Sequence, residues 1–346
     1  MSDARELTDP WTLGALQIPN RVLLAPLAGI GNWFVRLQAK RHGAGMAVSE
    51  MVSSHAIHYR NERTLRELLR IHPEELTAGA GGPTSIQLFG QDAAIMRSAA
   101  ASAVVAGAEA IDINMGCPVP KVCKTGSGAA LLSDPARAVA VAKAAVEGAG
   151  GAVPVTVKLR SGQRPGETSG FELARRLVDD AGVAAIAFHP RSAAVHHKGV
   201  PDYELAARLA AALPAPVILT GGLHDAAGVR AAFAQTGVAA VMLARGSLGN
   251  PWLFEELLRG REQPPTQNEV VAELRWTIAR AIEHLGTERA GRYLRKFYPW
   301  YVARLDLDRT HTAALQASLQ ATENVEQARR LLDDLVLTGP AAALAA

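Results

Sequence analysis

Cys117 sits in Asp112-Ile-Asn114-Met-Gly-Cys117-Pro118, a strand-like run that opens into a glycine- and proline-flanked loop. A free thiol titrates near ~8.5, so at neutral pH it keeps its proton and can act as an acid. The competing reading is an inert buried cysteine. A Cys–His nucleophile has no hydrolase signature to accompany it, and Cys123 looks incidental. Lys158 and Arg160 fall at the end of an apolar run, Val157-Lys-Leu-Arg160. A buried ammonium has to be paired with a neighbour or face an electron-rich ligand. Thr220-Gly221-Gly222 and Ala244-Arg245-Gly246 are two glycine turns whose backbone N–H groups could converge on a phosphate. The plainer alternative is that these glycines only close tight turns. His189, in His189-Pro-Arg191, reads equally as a ligand contact or a satisfied core histidine.

These residues share a setting. Short apolar runs at 21–27, 45–49, 84–88, 110–114, 153–159, 185–189, 217–220 and 239–243 alternate with helical stretches at 91–106, 134–148, 170–180, 202–212 and 225–235. Consecutive apolar positions bounded by Gly or Pro describe strands buried on both faces. Asp134-Pro135 and Asp225 supply helix-start chemistry. Eight β/α units in this length predict a (β/α)8 TIM barrel, an α/β fold of ~250 residues; a doubly wound sheet rarely runs eight parallel repeats in series. In such a barrel the active groups sit on loops at the carboxyl ends of the strands, where all the residues above fall.

Composition agrees with an ordinary globular protein. The 346 residues carry 36 Lys+Arg against 33 Asp+Glu, and 49% are hydrophobic. That excludes a disordered chain, and the unperiodic 31 Gly and 19 Pro exclude a collagen-like fibre. Two cysteines cannot staple a secreted scaffold, and they form no CxxC metal pair. Charges near the N-terminus and the lack of a ~20-residue apolar run point to a cytoplasmic protein.

Past Trp252 the strand pattern stops. A Pro-rich connector, 261–268, leads into a purely helical period, so the barrel is expected over 1–258 and a helical domain over 266–340, with a frayed tail beyond. Within that domain Arg289, Arg292, Arg295, Lys296 and Arg304 interleave with Tyr293, Phe297, Tyr298, Trp300 and Tyr301. Spacings of three and four place Arg289, Arg292 and Lys296 on one helical face. Such a face suits phosphate contacts with base stacking, or else is a solvated surface over core aromatics.

The ordered series Ala25-Pro-Leu-Ala-Gly29, Ser49-Glu-Met51, Gln87-Leu-Phe-Gly90, Asp112-Ile-Asn-Met-Gly-Cys-Pro118, Val157-Lys-Leu-Arg160, His189-Pro-Arg191, Ala244-Arg-Gly246 and Asn250-Pro-Trp252 resembles the tRNA-dihydrouridine synthases, from about residue 21 to 254 and more loosely beyond. The resemblance implies an FMN-dependent enzyme that uses NADPH to reduce the C5–C6 double bond of uridine in tRNA. It implies that Pro26 and Leu27 line the flavin, that Gln87 and Lys158 hydrogen-bond its ring, and that His189 supports it. Gly221, Gly222, Arg245 and Gly246 would hold its phosphate. Asn114 and Arg191 would meet the target uracil, Arg292, Arg295 and Lys296 the tRNA, and Cys117 would be the general acid. The base must leave its stack to reach a barrel mouth. Two alternatives stay open: an FMN barrel acting on a small molecule, as dihydroorotate dehydrogenase does, and a barrel kept only as an RNA-binding module. The basic and aromatic helical domain argues against the first.

Overall fold

The computed structural model describes residues 5–77 and 81–338, so the tail beyond 340 lies outside the described residues. Two compact units divide it, one of residues 1–246 with 257–259, the other of 247–256 and 260 onward.

The first unit opens with a small antiparallel hairpin, β1 (Trp11–Leu13) and β2 (Leu16–Ile18), which the sequence reading did not contain. Three-residue strands without a β-branched run carry too little periodicity to be seen. Then come β3 (Val22–Leu24), β4 (Ala47–Val48), β5 (Val52–Ser53), β6 (Thr84–Phe89), β7 (Ala110–Met115), β8 (Val155–Arg160), β9 (Ala185–His189), β10 (Val217–Thr220) and β11 (Ala240–Leu243). They pair in parallel in the order β4-β3-β11-β10-β9-β8-β7-β6-β5, and β4 also pairs with β6, which closes the sheet. Both β4 and β5 lie along β6, with Val48 opposite Ser85 and Val52 opposite Leu88. They are two halves of one barrel position, interrupted at Ser49-Glu50-Met51. The result is an eight-position parallel barrel.

Register fixes what points inward. Asp112 stands opposite Gln87 on β6 and Thr156 on β8; Asn114 stands opposite Lys158, and Arg160 opposite His189. Because side chains alternate along a strand, these residues line the interior with Ala110, Ala185, Ala187, Ile218, Ala240 and Met242. The small alanines crowd one end of the bore, where the hairpin's Trp11, Leu13 and Ile18 join the same apolar cluster. The polar inward residues are at the other end. Helices between strands start where expected, with Asp92, Asp134, Asp202 and Asp225 each accepting a first-turn backbone N–H.

The second unit is helical: Gln267–Leu285, Thr287–Leu294, Tyr298–Val302, Arg309–Ala321 and Val325–Thr338. A capping box between Thr266 and Glu269 starts the first of these. Among the described residues no helix is long and apolar enough to cross a membrane.

Candidate active site at the barrel mouth

Loops at the carboxyl ends of the strands build the site. The turn after β3 is folded by the Leu27 carbonyl, which accepts the N–H groups of Ile30 and Gly31. Glu50, from the interruption between β4 and β5, accepts the N–H of Gly29 at 2.8 Å. The neighbouring Ser49 hydroxyl accepts the backbone N–H of Gln87 at 2.9 Å. The strand break therefore ties the Pro26–Leu27 loop to the start of the polar interior. Leu27 is buried and Pro26 partly so.

A line of hydrogen bonds crosses the bore. Thr156 Oγ1 donates to Asp112 Oδ1 at 2.6 Å, and Gln87 Nε2 donates to Asp112 Oδ2 at 2.6 Å. Asn114 Nδ2 donates to Gln87 Oε1 at 2.8 Å. Asn114 Oδ1 then accepts the backbone N–H of Cys117 at 2.9 Å and of Gly116 at 3.2 Å. Of the residues expected from sequence, Gln87, Asn114 and Cys117 are thus joined directly. Asn114 Nδ2 also donates to Met51 Sδ at 3.8 Å, so its oxygen and its amide nitrogen are both spent inside the protein, which makes it first of all the holder of the Cys117 loop.

Burial pushes the Cys117 thiol up from its ordinary value, an effect that a Val119 backbone N–H and the cations Arg160 and Lys158 only partly offset. The thiol stays protonated at neutral pH. Arg160, 3% exposed, donates from Nε to the Gly116 carbonyl at 2.8 Å, and from Nη1 to the carbonyls of Ser192 and His196 at 3.0 and 2.7 Å. It braces the cysteine loop against the loop that follows β9.

Lys158 is partly buried, and no hydrogen bond or ion pair engages its Nζ among the described residues. Desolvation, and then Arg160, lower its pKa to about 8. An ammonium left without a partner at the mouth of a barrel is a site for an electron-rich or anionic group.

His189 is buried, and its pKa falls well below the ordinary range through desolvation and through Lys158, Arg160 and Arg191. It is therefore neutral. Arg191 Nη1 lies 3.3 Å from His189 Nε2, so that nitrogen accepts and the proton belongs on Nδ1. Arg191 Nη2 donates to the Gly199 carbonyl at 2.7 Å, while its buried Nε has no partner among the described residues.

The glycine turns meet this corner at close range. Gly221 has φ +101° and Gly222 φ +80°. A Cβ on Gly222 would come within 2.6 Å of the Tyr203 hydroxyl. The Gly246 position leaves only 2.7 Å to the Leu223 carbonyl. Arg245, exposed beside it, adds to the positive field at Arg191. His189, Arg191, Gly221, Gly222, Arg245 and Gly246 form one electropositive corner with close backbone.

Arg292, Arg295 and Lys296 belong to the helical unit. The expected stripe is shorter than the spacing implied: the helix ends at Leu294, and Lys296 lies in the turn beyond, its ammonium 4.3 Å from the Tyr293 ring centroid. Arg292 pairs at the surface with Glu288 at 3.2 Å, and Arg295 donates to the Thr322 carbonyl at 3.3 Å. The stacking reading fails for three aromatics. Phe297, Tyr298 and Tyr301 are at most 2% exposed, and Tyr301 hydrogen-bonds the Thr277 hydroxyl at 3.0 Å, because the short helices need large side chains for a core. Tyr293 and Trp300 keep partly exposed rings.

Asp112, Thr156, Arg160 and the Ser49–Glu50 break received no role from the sequence. Period two would have found three of them: counting back two from Asn114 gives Asp112, and stepping either way from Lys158 gives Thr156 and Arg160.

The dihydrouridine synthase family model matches residues 23–336. The tRNA-dihydrouridine synthase B of Pseudomonas aeruginosa is 36% identical over 298 residues, 85% of this chain and 87% of that one. A probable tRNA-dihydrouridine synthase 1 of Synechocystis sp. is 36% identical over 335 residues, covering 95% and 90%. Among solved structures, a morphinone reductase variant in complex with tetrahydroNAD shares the fold with TM-score 0.54 at 17% identity, covering 76% of this chain and 93% of that one. A 2-naphthoyl-CoA reductase shares it with TM-score 0.58 at 12% identity over 74% and 52%. A family match that runs from β3 into the last helix, with relatives alike over nearly their whole length, leaves one assignment: this chain belongs to the dihydrouridine synthase family.

Proposed function

We propose that the protein is a tRNA-dihydrouridine synthase that binds FMN in the barrel mouth and reduces the C5–C6 bond of uridines in tRNA at the expense of NADPH. The observation that carries the reading is Lys158: an unpartnered ammonium at the strand ends, in electrostatic reach of Cys117 and Asp112. The residues present fit FMN. Pro26 and Leu27 would line one side, and Gln87 and Lys158 would offer hydrogen bonds to the ring. His189 would support the group, and Gly221, Gly222, Arg245 and Gly246 would receive its phosphate.

Bound FMN supplies the two-electron reduction of the uracil ring. The chain supplies the proton. Cys117, held at neutral pH as a thiol, is the general acid, and the thiolate it leaves is met by the Val119 N–H, Arg160 and Lys158. Asn114 and Arg191 flank the place for the base. In the helical unit Arg292, Arg295 and Lys296 contact tRNA phosphates.

The test is on purified protein. Released FMN should be stoichiometric with chain, and unmodified tRNA should reoxidise the NADPH-reduced flavin with dihydrouridine appearing by mass spectrometry. Reoxidation by orotate or fumarate, with tRNA inert, would instead assign a small-molecule oxidoreductase. Protein that neither holds nor takes up flavin would leave only an RNA-binding barrel.

A further inference from the structure

Asp112 is a buried acid that the proposed reaction does not use. It is 2% exposed, and burial raises its pKa against the donors that hold it. What it does is legible in the sense of the hydrogen bonds. A glutamine amide has an oxygen that only accepts and a nitrogen that only donates. The Gln87 amide stands between Asp112 and Asn114, at 2.6 and 2.8 Å. Turned over, it would set its oxygen against a carboxylate oxygen and its NH2 against another NH2. Asn114 is fixed in the same way, since two backbone N–H groups face its oxygen.

We propose that Asp112 is a positioning residue: its carboxylate at one end, and Asn114 at the other, dictate which way the Gln87 amide faces, and Asn114 holds the loop that carries Cys117. The link to catalysis rests on the reading of Cys117 as the acid; the link to loop geometry does not. The line has one sense because it begins on an acceptor-only group and ends on two donors. A buried polar line of this kind is worth most when every member is satisfied, and one reversed member spoils its neighbours.

The sense can be reversed by moving the charge. Asn114→Asp alone sets a carboxylate against the Gln87 oxygen, because Asp112 forbids the amide to turn. Adding Asp112→Asn frees it. In the double variant the new amide at position 112 would donate to Gln87, and Gln87 to the new carboxylate at position 114. That carboxylate would still accept from Gly116 and Cys117, while Thr156 donates to the amide oxygen at position 112.

The full-length protein at pH 8 is alkylated with iodoacetamide, and modification of Cys117 is followed by mass spectrometry, with the urea-unfolded chain as reference. N114D should alkylate Cys117 several-fold faster than wild type and melt earlier. D112N/N114D should return both quantities toward wild type, although D112N in the parent background lowers the melting temperature. Folding lost in N114D and regained in the double variant would be the same rescue. An N114D protein that matches wild type, or a double variant no nearer to it than N114D, would overturn the proposal. Neither flavin nor tRNA enters this readout. A Cys117→Ala enzyme with wild-type turnover would therefore remove the acid assignment while leaving the alkylation result to decide the role of Asp112.

Discussion

A Cβ on Gly221 would stand 2.4 Å from the Nε2 of His189, well inside contact distance. The turn after β10 therefore has to be bare backbone, and φ +101° at that residue independently disfavours a side chain. The neutral imidazole and the open turn were built to one another. Gly221→Ala should displace His189 and cost about 1–3 kcal/mol in backbone strain alone. Denaturant unfolding should report the loss, and equilibrium titration should show weakened FMN binding. An alanine protein with wild-type stability and flavin affinity would show that the corner is looser than its geometry.

Lys158 gives a pH prediction. Its pKa falls from 10.5 to about 8 in the folded chain. Between those values the unfolded chain binds a proton that the folded chain has released, so stability rises as pH rises through the window; below about 8 the penalty is fully present. Each unit is worth about 1.4 kcal/mol. In flavin-stripped protein, Lys158→Met should be more stable than wild type at pH 7 and should lack the rise between pH 8 and 10. Equal slopes for the two proteins would mean the ammonium is not destabilised. The same variant should bind FMN poorly.

Cys117→Ala should keep FMN, its reduction by NADPH and tRNA binding, yet lose most tRNA-dependent reoxidation. Removal of a general acid costs roughly 10²–10⁴ in rate. Cys123, whose thiol donates to the Cys117 carbonyl at 3.3 Å, should tolerate alanine. Single-turnover reoxidation of prereduced enzyme separates the steps. Wild-type reoxidation by Cys117→Ala would exclude the thiol as acid, and loss of flavin would make it structural.

Charge reversal at Arg292 and Lys296 should weaken tRNA binding and flatten its salt dependence. Each lost phosphate contact removes about one unit of the log–log slope. The buried Phe297, Tyr298 and Tyr301 report on folding instead, so their truncation should lower the melting temperature. Unchanged affinity and slope for the charge variant would make this a merely solvated face.

The sequence was most legible where strands are buried on both faces. Residues 185–189 and 217–220 are strands at the bounds that their apolar runs predict, and Asp134 and Asp225 cap helices as their types require. It was least legible where pairing partners decide. The run at 45–49 shrinks to Ala47–Val48 because the chain breaks to send Ser49 to Gln87 and Glu50 to Gly29, contacts across 38 and 21 positions. A helical face of Arg289, Arg292 and Lys296 requires an unbroken period, but a turn at Arg295–Phe297 ends it. Asp112 looked like part of a motif; only the register opposite Gln87 and Thr156 shows that it governs its neighbours.

The hairpin at Trp11–Ile18 has a kinetic consequence. Its apolar side chains merge with the alanine layer at the amino ends of the strands, so among the described residues that end of the bore has a floor. On the proposed function, reductant and RNA would share the opposite, open end, the first leaving before the second arrives. Steady-state turnover should follow a substituted-enzyme pattern: varying NADPH at several fixed tRNA concentrations should give parallel double-reciprocal lines. Lines that converge would require both reactants to be seated together, and hence a second way in.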